Sequence, residues 1–291
     1  MDKLELKALG KINLGLDILG QRENGYHEVR MVMQTVYLYD RVILEKSTTS
    51  GIQIETNLKF LPVNENNIAY KAAALIMKEF GIEDGLKISL DKHIPVAAGM
   101  AGGSANAAAV LFGMNRMYGL GLSEDELKKR GLSLGADVPY CIMRGTVLAE
   151  GIGEILTPIS PLPKCSILIA KPPLSASTDT VYEKYDSLKS VEHPDIDGII
   201  RGLDASDVCQ VAGSMGNVLE QVMIPLYPII GQIKNTMLDA GAKGAVMSGS
   251  GPTVFGLFDN RSAARKAAAK IRNRNLTRQV YVTNAHNIRR K

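Results

Sequence analysis

Alternating charged and apolar residues mark the beginning of the chain as a strand. Residues 3–8 follow this alternation, and a period of two predicts a half-buried strand. If the strand continues, Lys11 and Asn13 project from one face while Ile12 and Leu14 point into the core. A lysine beside an asparagine at a strand end offers a positive charge and an amide to a ligand, but the same pair suits a polar surface equally well.

The same patterns divide the rest of the chain into short strands and helices. Predicted strands lie near residues 28–38, 42–44, 52–54, 86–90, 145–150, 166–170, 245–247, 253–257 and 279–283. Predicted helices lie near residues 68–80, 105–118, 178–186, 195–203, 214–222, 228–240 and 261–273, with a further helix opened by a capping box at residues 123–126. The Pro-rich segment 157–163 predicts a boundary between domains at residues 1–158 and 159–291. Alternating strands and helices after residue 164 predict a small α+β sandwich.

The stretch at residues 94–111 is the most distinctive in the chain, and it reads IPVAAGMAGGSANAAAVL. Gly99, Gly102 and Gly103 lie where a predicted strand turns into a predicted helix, and glycine there lets the backbone approach a ligand and adopt φ > 0. The first N–H groups of a helix have no internal partner, and the helix macrodipole adds partial positive charge. The turn is therefore a candidate anion site.

Ser104 follows these glycines and can offer its hydroxyl to a phosphate oxygen or to Mg²⁺. Two familiar glycine motifs do not fit the segment. No Lys follows Gly102 and Gly103, which excludes a Walker loop, and no G-x-G-x-x-G opens the helix. A tight turn before a well-packed helix remains the structural alternative.

Three more polar segments are candidate ligand contacts. Tyr26 and His27 follow a turn-rich loop, where they can stack on a base and hydrogen-bond to it or simply form an amphipathic edge pair. Asp137 is an isolated acid in an apolar run; it either pairs with a cation such as Lys11 or caps a helix. The glycine turn SGSGP at residues 248–252 is either a hairpin or a second wall of an anion site.

Composition narrows the possible functions. The chain has 291 residues, 45% hydrophobic and 22% charged, which predicts a globular protein with a substantial core. A net charge of +4 suits small anionic substrates and does not indicate nucleic-acid binding; the basic residues 289–291 are more typical of a solvated tail. Cys141, Cys165 and Cys209 have no metal-binding spacing and favour a reduced, cytoplasmic setting. The charged N-terminus predicts no signal peptide, and no run reaches the roughly 18 apolar residues that a membrane span needs.

Four segments carry motifs of a known family. The first reads PVAAGMAGGSANAA and resembles the phosphate loop of the GHMP kinase superfamily, which includes galactokinases, homoserine kinases, mevalonate kinases and phosphomevalonate kinases. The second reads SGSGPTVFGLF and resembles the superfamily's C-terminal motif. The other two read KALGKINLGLDILGQRENGYHEVRMVMQTV and LGADVPYCIMRGTVLAEGIGE, and they are similar to the branch that acts on 4-diphosphocytidyl-2-C-methyl-D-erythritol in non-mevalonate isoprenoid synthesis. The resemblance covers about residues 6–258, and Ala101 departs from it, since the loop usually has Gly there.

The resemblance implies an α+β fold of two domains, the N-terminal one like ribosomal protein S5 domain 2 and the C-terminal one ferredoxin-like. It also implies that Mg²⁺-ATP donates its γ-phosphoryl group to the substrate 2-hydroxyl, with Asp137 as catalytic base and Lys11 as its cationic neighbour. The implied ATP-binding residues are Pro95, Val96, Ala97, Ala98, Gly99, Met100, Ala101, Gly102, Gly103, Ser104 and Ala105, with Asn67 and Lys92 on the adenosine side. The implied substrate-binding residues are Asn13, Tyr26, His27, Thr178, Tyr182, Gly249, Ser250 and Gly251.

Two other functions are weighed against this one. A different GHMP small-molecule kinase, of the homoserine or mevalonate type, shares the phosphate loop, but residues 10–36 argue against it. An RNA-binding protein could use an S5-like domain, but RNA-binding aromatic motifs are missing and the charge is diffuse. The sequence thus predicts a small-molecule kinase that binds no nucleic acid or membrane and acts as a monomer or weak dimer.

Overall fold

A computed structural model describes residues 1–23 and 25–288, so Asn24 of the predicted turn and the basic residues 289–291 lie outside the described part. Within that part, the helices are all too short or too polar to cross a membrane. The chain groups into two compact units. The first consists of Met1–Gly10, Leu38–Val96 and Ala101–Met143, and the second of Lys11–Tyr37, Ala97–Met100 and the chain from Arg144 onward.

The two units do not correspond to two consecutive segments of the chain. Residues 11–37 belong to the second unit together with the chain after residue 143, because strands β1 and β2 each contribute to both units. The predicted division into 1–158 and 159–291 rests on the Pro-rich segment alone and stays a prediction.

The elements up to residue 143 are β1 (Lys3–Gln21), β2 (His27–Ser47), β3 (Ile52–Thr56), α1 (Ile68–Phe80), β4 (Gly85–Asp91), α2 (Gly102–Tyr118), α3 (Glu124–Leu132) and α4 (Val138–Met143). β2 is one strand of 21 residues that unites the two strands predicted within it. β1 is exposed on alternate residues only at its start and is buried on both faces over residues 8–18. The surface alternative for Lys11 and Asn13 is therefore wrong, because the two residues are only 4% and 0% exposed.

In the first unit, β4 pairs antiparallel with residues 41–47 of β2 and parallel with β3. Helix α1 begins at Asn67, whose side chain accepts the N–H of Ala69, and ends at Gly81 with φ 60°. The predicted capping box of α3 is confirmed. Alanines fill the buried face of α2. Gly113 of α2 allows close packing, because a Cβ there would lie 2.5 Å from Leu44 Cδ1.

In the second unit, residues 31–34 of β2 pair with β5 (Thr146–Glu150), which also pairs with β6 (Ile155–Pro158). The elements that follow are β7 (Ser166–Lys171), α5 (Thr178–Asp186), α6 (Ile196–Asp204), α7 (Val208–Ser214), β8 (Gly216–Asn217), α8 (Glu220–Leu226), α9 (Pro228–Leu238), β9 (Gly244–Met247), β10 (Val254–Phe258), α10 (Arg261–Asn273) and β11 (Gln279–Thr283). An antiparallel sheet has the strand order β11-β7-β10-β9, and β8 pairs in parallel with β1. The α+β class is confirmed, and so are the predicted helix 261–273 and strand 279–283.

The helix predicted at residues 214–222 is wrong. α7 ends at Ser214, and the short strand β8 separates it from α8. Asn217 explains the break, because its amide donates to the carbonyl oxygens of Met247 and Gly249, each at 2.8 Å. Long-range hydrogen bonds therefore override the helical periodicity of this segment.

Candidate functional site

The entry to α2 combines left-handed backbone with an uncapped helix start. Gly99 has φ 69° and Ala101 has φ 54°. Ala101 directly precedes the helix and offers no side-chain cap. The N–H groups of the first turn therefore have no partner within the helix, and they carry the positive end of its dipole. These features suit an anion site, and anion binding at the turn stays a prediction.

Gly102 and Gly103 play a different part from the predicted one. They are the first residues of α2, which begins three residues before the predicted helix, and their φ is not positive. Gly103 is exposed, and a Cβ there would meet only Ile68 Cγ2 at 3.5 Å. A Cβ on Gly102 would lie 3.1 Å from Ile94 Cγ2. These glycines keep the backbone of the first turn bare, and Ser104 adds a half-buried hydroxyl one residue later.

A buried polar cluster lies behind this turn. Asp40 in β2 is 0% exposed, and its carboxylate accepts the N–H groups of His93 and Ile94 at 2.7 and 2.8 Å. The same carboxylate accepts the Nδ2–H of Asn106 at 2.9 Å and forms an ion pair with Lys92. The Lys92 ammonium also donates to Asn106 Oδ1 at 2.7 Å. We call Asp40, Lys92 and Asn106 the carboxylate cluster.

The two residues predicted on the adenosine side have structural partners. Lys92 is buried in the carboxylate cluster. Asn67 caps α1, and its Nδ2 donates to the Pro62 carbonyl oxygen at 2.9 Å. Both polar ends of the Asn67 side chain are thus engaged, and its contact with adenosine stays a prediction.

Asp137 lies directly before α4 and is half-buried. Its carbonyl oxygen accepts the N–H of Cys141 at 3.1 Å, which starts the helix. Val138, Pro139 and Tyr140 follow it into the core. This apolar helix fixes the position of Asp137 in the first unit, and its role as a base stays a prediction.

In the second unit, Lys11 belongs to a hydrogen-bonded chain. Its ammonium donates to Asn13 Oδ1 at 2.7 Å, and the Asn13 N–H donates to Ser248 Oγ at 3.3 Å. Ser248 Oγ donates in turn to the Gly99 carbonyl oxygen at 2.9 Å. The Lys11 N–H donates to the Met100 carbonyl oxygen at 3.1 Å. The alternative that Lys11 and Asn13 are surface residues is therefore excluded.

The SGSGP turn is a hairpin, and its role as a second wall of an anion site stays a prediction. It joins β9 to β10, and the Ser248 N–H donates to the Thr253 carbonyl oxygen at 2.8 Å. A Cβ on Gly249 would lie 3.1 Å from the Gly99 carbonyl oxygen and 3.4 Å from Lys11 Nζ. Ser250 Oγ lies 3.0 Å from Thr178 Oγ1 at the start of α5. The turn thus places two predicted substrate-binding hydroxyls beside each other.

An aromatic group surrounds His27. Its ring centroid lies 4.7 Å from that of Tyr182, with the planes inclined at 49°, and its Nε2 lies 2.7 Å from Asp186 Oδ1. Tyr185 packs at its edge with centroids 6.4 Å apart. Burial, with the nearby carboxylates of Asp17 and Asp186, raises the pKa of Tyr185, so its hydroxyl stays protonated.

Tyr26 stands beside this group and is 59% exposed. An ion pair holds its loop, since Arg22 Nε lies 2.5 Å from Glu28 Oε2 and this bond lowers the pKa of Glu28. The Arg22 N–H also donates to the Tyr26 carbonyl oxygen at 2.7 Å. His27 packs against other side chains, as expected for an amphipathic residue at the edge of a strand. The ring of Tyr26 remains accessible.

The sequence analysis missed several residues that hold these turns. They are Asp40, Asn106, Asn217 and Glu220, all buried. The sequence carries a signal for two of them: Asp40 is an acid between two predicted strands, and Asn106 interrupts a run of alanines. For Asn217 and Glu220 the signal is absent, because their partners lie about 30 residues away along the chain.

Comparison with known proteins places this geometry among the kinases. Residues 67–145 match the GHMP kinases N terminal domain, and residues 190–276 match the GHMP kinases C terminal domain. A protein of Lachnospira eligens named 4-diphosphocytidyl-2-C-methyl-D-erythritol kinase is 56% identical over 97% of this chain and 98% of its own. One of Lachnoclostridium phytofermentans with the same name is 54% identical over 92% of each chain.

A solved structure agrees with these matches. The crystal structure of a 4-(cytidine 5'-diphospho)-2C-methyl-D-erythritol kinase superposes with a TM-score of 0.84 at 30% identity. The alignment covers 98% of this chain and 100% of that one. The likeness thus extends over nearly the full length of both chains.

Proposed function

The chain belongs to the GHMP kinase family, in its 4-diphosphocytidyl-2-C-methyl-D-erythritol kinase branch, and we propose that it transfers the γ-phosphoryl group of ATP to the 2-hydroxyl of 4-diphosphocytidyl-2-C-methyl-D-erythritol. Full-length identity of 56% to a relative of that name is the observation that carries the proposal. A homoserine or mevalonate kinase activity has no comparable support.

The triphosphate binds at the entry to α2 in this proposal. Phosphoryl transfer passes through a loose transition state, so the protein contributes mainly positioning and charge stabilisation. The bare first turn at Gly102 and Gly103 offers backbone N–H groups, and Ser104 offers a hydroxyl. The residues from Pro95 to Ala105 form the cradle, and fixed dipoles there stabilise charge on the phosphate oxygens.

Mg²⁺ enters with ATP in this proposal. Among the described residues, no group of three His, Cys, Asp or Glu side chains has the arrangement of a metal site. A nucleotide-bound Mg²⁺ needs only one or two protein oxygens beside the phosphates and waters, and the Ser104 hydroxyl is an oxygen donor of that kind. The ion supplies neutralisation of charge on the phosphates when bound.

Asp137 accepts the proton of the substrate 2-hydroxyl, and Lys11 stabilises negative charge during the transfer. The support for Asp137 is its place in the catalytic motif, half-buried at the start of an apolar helix. The support for Lys11 is its burial in a hydrogen-bonded chain that reaches the Gly99 carbonyl oxygen. A positioned acid–base group of this kind contributes about 10²- to 10⁴-fold in rate.

The cytidyl group binds at the aromatic group around His27. The exposed ring of Tyr26 stacks on the base, with Tyr182 and His27 beside it. Thr178 and the 249–251 turn hold the methylerythritol diphosphate, together with Asn13. The free thiols of Cys141, Cys165 and Cys209 support a reduced, cytoplasmic setting.

The test is ATP turnover with matched acceptors. We expect phosphorylation of the cytidyl substrate and no phosphorylation of homoserine or mevalonate. For the uridyl analogue, kcat/KM should be lower by roughly 10²- to 10⁴-fold, because a site built for the hydrogen-bonding edge of one base rejects that of the other. His27→Ala should reduce the difference in kcat/KM between the cytidyl and uridyl substrates. Tyr26→Ala should lower kcat/KM for both substrates alike, because stacking tolerates either base. Equal kcat/KM for the two analogues in the wild type contradicts cytosine recognition.

A further inference from the structure

The carboxylate cluster connects the two ends of the glycine loop, residues 95–101, which precedes α2. We propose that Asn106 is a positioning residue for the triphosphate. Together with Asp40 and Lys92, it fixes the first turn of α2, and it does so without touching the nucleotide. The inference rests on the proposed ATP site at that turn. It concerns Asp40 and Asn106, which the family resemblance does not assign, together with Lys92, which the resemblance places on the adenosine side.

The Asp40 carboxylate joins segments on both sides of the loop. Its Oδ1 accepts the backbone N–H groups of His93 and Ile94, immediately before the loop begins at Pro95. Its Oδ2 accepts the side-chain amide of Asn106, which lies after the loop, one turn into α2. One rigid strand residue therefore sets the position of both ends.

Lys92 and Asn106 close the cluster from the opposite side. The Lys92 ammonium donates to Asn106 Oδ1 at 2.7 Å and pairs with Asp40 Oδ2. Both polar atoms of the Asn106 amide are thus engaged, one as donor and one as acceptor. The orientation of the amide is fixed, and with it the rotation of α2 about its axis.

The cluster lies immediately behind the proposed phosphate contact. Lys92 Nζ would be 3.4 Å from a Cβ on Gly102, the first residue of α2. A shift of the amide or the ammonium would therefore move the backbone N–H groups of the first turn. Donors that are already aligned bind an anion more tightly than donors that must be ordered on binding.

Stability alone is a poor explanation for this arrangement. All three side chains are buried. A buried ion pair costs desolvation, and apolar residues of similar volume are often as stabilising. Fixing one backbone arrangement is the better-supported use of such a group, and here the arrangement is that of the phosphate-binding turn.

α2 itself provides a matched control for the experiment. Asn115 lies near the other end of the same helix, where its Nδ2 donates to the Leu122 carbonyl oxygen at 2.8 Å and its Oδ1 accepts the Leu122 N–H at 3.0 Å. Asn115→Ala removes the same side chain from the same helix, also with one donated and one accepted hydrogen bond. It leaves the phosphate-binding end of the helix intact.

The experiment compares steady-state kinetics of Asn106→Ala and Asn115→Ala with wild type, together with the Kd for ADP and the thermal midpoint. We expect Asn106→Ala to raise the KM for ATP and the Kd for ADP by about tenfold or more, the usual range for residues that orient ligand-binding groups. The KM for the cytidyl substrate should stay within about twofold. Asn115→Ala should leave both KM values unchanged, even where its thermal midpoint falls as far as that of Asn106→Ala.

The milder variant Asn106→Ser keeps a polar partner in the cluster, and it carries the test if Asn106→Ala does not fold. An intermediate rise in the KM for ATP supports the proposal. Equal ATP parameters in the Asn106 and Asn115 variants, or a loss confined to kcat, overturn it. A wild-type protein that does not phosphorylate the cytidyl substrate would instead refute the proposed function, so the two failures are distinguishable.

Discussion

Two glycine turns in this molecule are held from behind by buried side chains of opposite hydrogen-bonding character. Asp40 accepts N–H groups from the residues that lead into the first turn, at residues 93 and 94. Asn217 donates to carbonyl oxygens of the second turn, at Met247 and Gly249. Each anchor thus satisfies one kind of backbone group, the N–H groups that lead into the first turn or the carbonyl oxygens of the second.

The difference decides how each turn can bind an anion. At the first turn, the helix follows without a side-chain cap, so backbone N–H groups supply the positive potential. At the second turn, Asn217 occupies the carbonyl oxygens, and the polar groups near the turn are the Lys11 ammonium and the Ser250 hydroxyl. We therefore propose that the first turn binds an anion through its main chain and the second through side chains.

The largest predicted effect is a loss of turnover, caused by substitution of a residue that belongs to neither glycine turn. Asp137→Asn should lower kcat by roughly 10² to 10⁴ through loss of the proton acceptor, while the KM for ATP stays within about twofold of wild type. Steady-state kinetics on the folded variant measure both constants. Turnover near the wild-type rate would remove Asp137 from the chemistry.

A double variant tests whether Asp137 and Lys11 act together. Lys11→Ala should also be slow, and the double variant should be little slower than either single one, because residues that act as a unit are not additive. Fully additive losses would assign the two side chains to separate steps.

The second effect is on stability and concerns Gly99. Gly99→Ala should lower the free energy of unfolding by about 3 kcal/mol or more, because φ is 69° and the new Cβ would lie 2.1 Å from the Ser248 carbonyl oxygen. Gly119→Ala is the control, since Gly119 has φ 62° and no neighbouring atom within 4 Å of the added Cβ. Urea unfolding should show only about 1–2 kcal/mol of loss there. Equal losses would show that contact with Ser248 contributes nothing.

The third effect separates binding from stability at Gly103. Gly103→Ala should raise the KM for ATP about tenfold, equivalent to 1.4 kcal/mol, because its Cβ would enter the space of a phosphate held by the main chain. The thermal midpoint should stay equal or rise, since alanine is the better helix former and the nearest atom is 3.5 Å away. Gly213→Ala in α7, with nothing within 4 Å, should change neither KM. An unchanged KM for ATP in Gly103→Ala would make this turn purely structural.

The smallest predicted effect is a gain in the free energy of unfolding on substitution of Ala101. Left-handed backbone costs alanine about 1–2 kcal/mol, and φ is 54° at this residue. Glycine removes that strain but adds about 0.5–1 kcal/mol of chain entropy, so Ala101→Gly should gain about 0.5 kcal/mol or slightly more. Ala97→Gly, at φ 48°, should behave alike. Urea unfolding measures both, and a loss of stability in both variants would contradict the strain argument.

Local patterns in the sequence predicted those features that depend on neighbouring residues. The Ser123 capping box and the bounds of α10 follow from such patterns and are confirmed. The glycine turn at the start of α2 and the hairpin at residues 248–252 were also found. The family resemblance added the reaction and its kinase fold, which pattern alone does not supply.

Long-range contacts account for what sequence reasoning could not reach. Lys11 and Asn13 looked like half of an amphipathic strand, but tertiary structure covers both faces of β1. Asp40, 52 residues away, holds Lys92 in the interior, which no local pattern predicted, and the contact of Lys92 with ATP stays a prediction. Asn217 ended a helix that periodicity favoured, through partners 30 and 32 residues away. Nothing local encodes these partners.

The discontinuous path of the chain through the second unit has a consequence for synthesis on the ribosome. Residues 11–37 are translated early, yet β7 and β9–β11 of the same unit come after residue 165. At about 5–20 residues per second, roughly 6 to 30 s separate the end of the first segment from the start of β7. During that interval the apolar middle of β1 lacks β8, its partner in the finished fold. A nascent chain of this design therefore exposes that apolar segment until the later strands have been made.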